Sequence, residues 1–271
     1  MLKSKIMLPV DSTKIEVDVY GIERVTHRFA AGNRTVVIVP GLTCKNWPNY
    51  LGVYEDLATV FSKEGFLCVT FASRGQYPSG GAWLHKNAVR DVDVILNFLY
   101  SQGATQDSLG LLGRSIGTSV ALSYIVNRPH KVNSVALWGT AYRRLYDSFF
   151  GNMEAARRLM DPRRTVIDQS FLFTDEMLPE HLLPSVEHPL LLGYGTEDVY
   201  STLEEQIGAF GMSQSHLSSF VAIKGATHEM DAKHSAFPIY AHTFVNWFDS
   251  TLKVSPTRAE RRAADVKSLG D

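Results

Sequence analysis

Residues 113–117 read GRSIG, in which Ser115 stands between two glycines with one residue on either side. The pentapeptide alone is weak evidence, because glycine and serine are common and the pattern also arises by chance. Its surroundings carry more information, since LGLLG precedes the serine and SVALSYIV follows it, which predicts a strand, a sharp turn and a helix. The glycines would let the two backbones approach each other closely. The pattern therefore predicts an exposed, nucleophilic hydroxyl on Ser115.

The elements that must position such a serine follow from alternating patterns along the chain. Apolar residues at helical spacing predict helices over residues 50–63, 88–100 and 236–252. Residues 6–28 alternate between apolar and polar types around a turn at Asp11–Ser12, which predicts N-terminal antiparallel strands. Continuous apolar runs predict buried strands at TVVIVPG, FLCVTFAS, LGLLG, VNSVALWGT, HPLLLGYG and SSFVAIKGA. Strands alternating with helices predict an α/β fold with a mostly parallel central sheet flanked by helices.

One segment breaks this alternation. Residues 142–187 contain no clear strand, and their stretches YDSFFGNMEAARRLM and SFLFTDEMLPEHLL are helical in pattern and rich in Phe, Met and Leu. We predict a single domain over residues 1–254 with a small helical cap inserted at about 142–187, followed by a polar tail over 255–271. Such a cap would lie over the carboxyl edge of the sheet, where ligands bind in folds of this class.

The composition is that of an ordinary globular domain, with 45% hydrophobic and 20% charged residues among 271. A formal net charge of -1 argues against binding of nucleic acids or membrane surfaces through bulk charge. Cys44 and Cys68 are too few for a disulfide framework and have no metal-binding spacing, so we expect small buried residues in a reducing compartment. No apolar run has the length of a membrane span or a signal peptide core, and we therefore expect a cytoplasmic protein.

With its strand, turn and helix around Ser115, the sequence resembles the α/β-hydrolase family. The resemblance covers roughly residues 35–252. The resemblance implies an α/β-hydrolase fold and a catalytic order of serine, acid and histidine. Asp198 matches the acid, because it ends the G-x-x-D stretch GTED just after the predicted strand HPLLLGYG. His228 matches the histidine, because it ends GATH after the last predicted strand. The alternatives nearby are Glu197 and Glu205 for the acid, and His234 and His242 for the base.

The chemistry of these three residues is complementary. A serine hydroxyl is a weak nucleophile and needs a base to take its proton as it attacks a carbonyl carbon. A neutral imidazole can do this near neutral pH, which gives His228 the role of base. Asp198 would hold the tautomer of that ring and stabilise the imidazolium. No metal and no organic cofactor is implied.

The developing oxyanion needs fixed hydrogen-bond donors. The resemblance implies that one donor is the backbone N–H of Ile116, the residue after the nucleophile. The second should come from the loop PGLTCKNW after the first buried strand, where Leu42 N–H has the matching position. Many family members have His-Gly in that loop, whereas here Pro40 replaces the histidine and Gly41 remains. The replacement is tolerable because the donor is a backbone group.

The substrate-binding residues are expected around the cap. Phe149, Phe150 and Met153 of the insertion, together with Tyr77, are candidates to line a pocket for an apolar acyl group. The aromatic residues and methionines of the insertion could equally form its own core, and Trp47 and Tyr77 could simply pack. Arg74, in FASRGQYPSGG, is expected to form a structural ion pair.

The leading hypothesis is a serine hydrolase that cleaves an ester or thioester of a small-molecule acyl substrate. An alternative is an acyltransferase or thioesterase acting on chains bound to an acyl carrier protein. Arginines of the insertion could dock such an acidic carrier or form a solvated basic face; they are Arg143, Arg144, Arg157, Arg158, Arg163 and Arg164. Peptide or carbon–carbon bond hydrolysis and a non-catalytic ligand-binding protein are further alternatives, because a fold does not fix a substrate.

Overall fold

A computed structural model of the protein describes residues 2–43, 50–147, 154, 157–158, 160, 162–168 and 174–254. The strands are β1 (Lys3–Val10), β2 (Thr13–Tyr20), β3 (Thr35–Val39), β4 (Leu67–Phe71), β5 (Leu109–Arg114), β6 (Ser134–Trp138), β7 (Leu190–Gly195) and β8 (Ser218–Ile223). The helices are α1 (Tyr50–Lys63), α2 (His85–Ser101), α3 (Ile116–Asn127), the short α4 (Arg143–Leu145) and α5 (Pro179–Leu182), α6 (Leu203–Met212) and α7 (Phe237–Thr251).

Within these ranges, the strands form one eight-stranded sheet in the order β1-β2-β4-β3-β5-β6-β7-β8. The first two strands pair antiparallel with each other, and β2 pairs antiparallel with β4. All other neighbours are parallel. The predicted mostly parallel sheet with antiparallel N-terminal strands is therefore confirmed.

Both faces of the sheet are covered by helices. Val37 and Val39 of β3 belong to one apolar cluster with residues of α2 and α3, whereas Val36 and Ile38 belong to a second cluster with residues of α1 and α7. Successive side chains of a strand point to opposite faces, so both sets of side chains are buried. Burial on both faces explains why the central strands form continuous apolar runs in the sequence.

The chain changes direction across the sheet at β3. The connection through α1 leads to β4 on one side of β3, and the connection through α2 leads back to β5 on the other side. In open α/β sheets, ligands bind at the carboxyl ends of the strands that flank such a switch point. Gly41 follows β3 there, and Ser115 follows β5.

The segment between β6 and β7 adds an extended stretch to the expected helical cap. Thr165 and Ile167 form isolated bridges with Gln76 and Trp83, so residues 162–168 lie along the loop that follows β4. Three consecutive β-branched residues, 165–167, favour this extended backbone. The described helical parts of the segment include α4, α5 and single turns such as Asp175–Met177. The tail predicted over 255–271 lies outside the described residues.

Candidate active site

Ser115 lies at the junction of β5 and α3 in a strained backbone conformation. Its φ of 53° and ψ of -127° fall in a region that residues with a side chain rarely adopt. The surrounding bonds hold this geometry, because Ser115 N donates to Trp138 O at 3.0 Å and Thr118 N donates to Ser115 O at 3.0 Å. The side chain is partly exposed, whereas its neighbours Arg114 and Ile116 are buried. Strain of this kind is typical of functional positions.

The glycine after Ser115 is required by close packing of backbones. A Cβ atom on Gly117 would lie 2.3 Å from Val39 O and 2.6 Å from Pro40 O. Both contacts are with main-chain atoms, which cannot move as a flexible side chain can. The absence of a side chain at residue 117 therefore lets α3 begin directly beside the end of β3.

The change Gly117→Ala should lower the free energy of unfolding by about 1–3 kcal/mol, because overpacked cores cost energy of this size. Gly208→Ala is the matched control, since a Cβ atom there would meet nothing within 4 Å. Gly208 lies in α6, where alanine is favoured over glycine, so this control should gain about 0.5–1 kcal/mol. Urea unfolding of both variants tests the contrast, and equal stabilities would contradict the packing role of residue 117.

His228 and Asp198 form a buried pair at the same edge of the sheet. His228 Nδ1 lies 2.8 Å from Asp198 Oδ2, and the Asp198 side chain is fully buried. The second carboxylate oxygen, Oδ1, accepts a hydrogen bond of 2.8 Å from Tyr200 N. Both oxygens of Asp198 are thus engaged, which fixes the carboxylate and directs one oxygen at the imidazole. Such a pair holds the histidine with Nε2 facing away from the acid.

Ser115 and His228 are brought to one place by their neighbours. Arg114 Nη2 donates to the backbone oxygen of His228 at 3.0 Å, and Trp138 Nε1 donates to the same oxygen at 3.1 Å. Arg114 precedes Ser115 in the chain, and Trp138 accepts the Ser115 N–H. Among these described side chains no hydrogen bond joins the Ser115 hydroxyl to the His228 ring. Hydrogen bonds of this kind often tighten only when substrate is bound.

Three residues that support the pair were not identified from the sequence. The ring of Tyr200 meets that of His228 edge to face, with centroids 4.8 Å apart. Gly139 backs the pair, because a Cβ atom there would lie 2.7 Å from His228 Nδ1 and 3.3 Å from Asp198 Oδ2. The guanidinium of Arg114 lies over the rings of Tyr54 and Tyr240. In the sequence, the one local indication of these residues is Gly139, which directly follows the predicted strand residues VNSVALW.

The predicted oxyanion donors lie beside Ser115. A Cβ atom on Gly41 would lie 2.9 Å from Ser115 Cβ and 3.5 Å from Ser115 Oγ, so the backbone that leads into Leu42 touches the serine. Gly41 N donates to Tyr54 Oη at 2.9 Å, and Gly41 O accepts from Gln76 Nε2 at 2.7 Å. Ile116 is the first residue of α3, whose leading N–H groups have no partner within the helix.

The remaining candidates have other positions. Tyr77 follows β4 with its side chain 67% exposed, and its role in substrate binding stays a prediction. Phe149, Phe150, Met153 and Trp47 lie outside the described residues. Arg74 is buried and pairs with Asp91 and Asp11 at 2.6 Å each, which confirms the predicted ion pair. Burial raises the pKa of Asp91 to about 6, although Arg74 opposes that rise.

The alternative acids and bases have other partners or are exposed. Glu197 is exposed, and Glu205 accepts hydrogen bonds from Arg144. His234 Nδ1 accepts from Ala236 N just before α7, and His242 is exposed on that helix.

Over the residues that the structure describes, no group of three or more His, Cys, Asp or Glu side chains is placed to hold a metal ion. In the same ranges, none of the helices combines the length and apolar character that crossing a membrane requires.

Several solved structures share this fold at low sequence identity. The esterase domain of a Rhodothermus marinus protein is 15% identical, with a TM-score of 0.66 and coverage of 91% of this chain and 98% of that chain. An esterase from Exiguobacterium antarcticum is 16% identical, with a TM-score of 0.63 and coverage of 91% and 100%. The monoacylglycerol lipase of Paleococcus ferrophilus is 18% identical, with a TM-score of 0.62 and coverage of 88% and 99%. These likenesses establish the α/β-hydrolase fold.

The sequence comparison is consistent with the fold. Residues 31–181, more than half of the chain, match the family described as serine aminopeptidase, S33. The protein therefore belongs to this family of α/β-hydrolases. A comparison with curated proteins finds no match.

Proposed function

We propose that the protein is a serine hydrolase that cleaves an ester or thioester of an apolar acyl group through an acyl-enzyme intermediate. The observation that carries this proposal is the buried His228–Asp198 pair, 2.8 Å apart, beside the strained turn that presents Ser115. A neutral histidine oriented by a carboxylate and a partly exposed serine are the groups that acyl transfer to serine requires.

In the proposed reaction, Ser115 Oγ attacks the substrate carbonyl carbon while its proton passes to His228 Nε2. The carbonyl oxygen becomes an oxyanion and accepts hydrogen bonds from the N–H groups of Ile116 and Leu42. His228 then gives the proton to the leaving alcohol or thiol, and the acyl group remains on Ser115. A water molecule then gives a proton to His228 Nε2 and attacks the acyl carbon of the acyl-enzyme. His228 returns this proton to Ser115 Oγ as the carboxylic acid leaves. Asp198 holds the Nδ1–H of His228 throughout.

An apolar acyl group fits the surroundings of the proposed oxyanion donors. Leu42 and Ile116 belong to a buried apolar cluster that also contains Met160, Leu178 and Leu182 of the insertion. The insertion therefore brings apolar side chains to the side of the sheet where the acyl chain would lie. An esterase and a monoacylglycerol lipase among the proteins of the same fold are consistent with such a substrate.

A fluorophosphonate probe tests this proposal directly, because it phosphonylates only serines that are activated as nucleophiles. The wild type should gain one adduct by intact mass, and Ser115→Ala should gain none. Ser101→Ala, which changes an exposed serine at the end of α2, is the matched control and should be labelled like the wild type. Labelling of Ser115→Ala, or no labelling of a folded wild type, would overturn the assignment. Acyl esters of graded chain length would then define the substrate.

The carrier-protein alternative has weaker support in the described residues. Arg143 pairs with Asp175 at 2.6 Å, and Arg144 pairs with Glu205 at 2.9 Å. These internal ion pairs compensate the positive charge that an acidic carrier would bind. Hydrolysis of an ester or thioester that is not bound to a carrier protein is therefore the function that we propose.

A further inference from the structure

The proposed oxyanion donor Leu42 N–H belongs to the peptide unit that begins with the carbonyl of Gly41. A trans peptide is planar, and its C=O and N–H groups point in opposite directions. Whatever holds Gly41 O therefore also sets the direction of Leu42 N–H. Gly41 O accepts a hydrogen bond of 2.7 Å from Gln76 Nε2. The Leu42 N–H is accordingly directed away from Gln76.

From this geometry we propose that Gln76 is a positioning residue that aligns the oxyanion hole of the proposed serine hydrolase. The inference rests on the proposed function. Gln76 lies in the loop after β4 and would not touch the substrate itself. It would act by fixing the peptide between Gly41 and Leu42 before the substrate binds. Preorganised donors of this kind contribute much of the transition-state stabilisation in acyl transfer.

The orientation of the Gln76 amide is set by its surroundings. The side chain is 1% exposed, and its Oε1 accepts a hydrogen bond of 3.2 Å from Ser73 N. The backbone of the same residue is also fixed, because Gln76 N donates to Ser73 O at 2.9 Å and Ser79 N donates to Gln76 O at 2.8 Å. A backbone N–H can meet only an acceptor, so Oε1 must face Ser73 and Nε2 must face Gly41 O. A glutamine satisfies both groups, whereas an ionised glutamate satisfies only the N–H of Ser73.

The change Gln76→Glu keeps the size of the side chain and the acceptor for Ser73 N, but places a carboxylate oxygen against Gly41 O. Two acceptors repel each other, so the Gly41–Leu42 peptide should rotate and lose its alignment. Removing a whole oxyanion donor typically costs about 10²- to 10³-fold in kcat, and misalignment should cost about 10- to 100-fold. The value of KM should change little, because the interaction is made in the transition state.

The experiment measures hydrolysis of a p-nitrophenyl acyl ester per active site, titrated with the fluorophosphonate probe, in Gln76→Glu and in the uncharged Gln76→Met. Gln102→Glu is the matched control, because Gln102 Oε1 also accepts a backbone N–H, that of Arg28, at 2.9 Å. Gln102 lies at the end of α2, and its change should leave kcat unaltered. A trifluoromethyl ketone, whose adduct with serine is an oxyanion, should bind more weakly to both Gln76 variants by the factor lost in kcat/KM.

Wild-type kcat per titrated site in either folded Gln76 variant would overturn the inference, as would a loss of kcat without weaker binding of the ketone. A wild type that is neither labelled nor active would overturn the proposed function instead. If neither variant folds, a crystal structure of the phosphonylated wild type decides the question. The phosphonyl oxygen should then lie within hydrogen-bond distance of Leu42 N while Gln76 still binds Gly41 O. A Gly41 carbonyl turned away from Gln76 in that adduct would contradict the inference.

Discussion

Changing Ser115 to alanine should lower kcat for an activated acyl ester by about a million-fold, and changing His228 to alanine should lower it by a similar factor. The reason is that neither residue can work without the other. Without His228 Nε2, the Ser115 hydroxyl keeps its proton. Without the hydroxyl, the proton acceptor has no nucleophile to activate.

The double variant separates this explanation from two independent contributions. If Ser115 and His228 act as one unit, changing both should cost no more than changing either alone. Independent contributions would instead multiply, and a double variant much slower than both single variants would contradict the proposed pair. His242→Ala is a suitable control, because His242 is exposed on α7 and should not affect kcat. Thermal unfolding of all four variants shows that the losses are not losses of structure.

The elements of the fold could be predicted because each carries its own periodic signal. Strands β3 and β5 are buried along their whole length and are mostly apolar, and they end at Val39 and Arg114, close before Gly41 and Ser115. The antiparallel pair β1 and β2 alternates in burial as it does in sequence. Each candidate residue directly follows a predicted strand, and because the carboxyl ends of parallel strands lie at one edge of a sheet, the sequence alone predicts that these residues lie at the same edge.

The supporting contacts could not be predicted in the same way, because they join residues far apart in sequence. Arg114 contacts the backbone of His228, which lies 114 residues later, and Gln76 contacts Gly41, 35 residues earlier. Neither arginine nor glutamine has a pattern that reveals such a partner. His85 also has a distant partner that the sequence does not reveal, because its ring forms a hydrogen bond with Ser119. It is the first residue of α2, three residues before the predicted start of that helix. Burial lowers the pKa of His85 to about 4, so this histidine is neutral at physiological pH.

A conservative change at Asp198 should have a large effect because both oxygens of its carboxylate are engaged, one by His228 and the other by Tyr200. The change Asp198→Asn should lower kcat by about 10⁴-fold while the fold is retained. Asp198 Oδ1 accepts the backbone N–H of Tyr200, which requires an oxygen at that place. The asparagine amide would therefore direct its NH₂ group at His228 Nδ1. Since Nδ1 would then have to accept a hydrogen bond, the ring proton would move to Nε2, the atom that must accept the proton of Ser115.

Glu197→Gln is the matched control for this prediction, because it makes the same chemical change at the adjacent exposed residue and should leave kcat unaltered. The measurement compares kcat and fluorophosphonate labelling rates for both variants at a pH where the wild type is fully active. Both quantities should fall together in Asp198→Asn, since both depend on proton transfer from Ser115 to His228. An Asp198→Asn variant within tenfold of the wild type would contradict the role of Asp198 and show that another group orients His228.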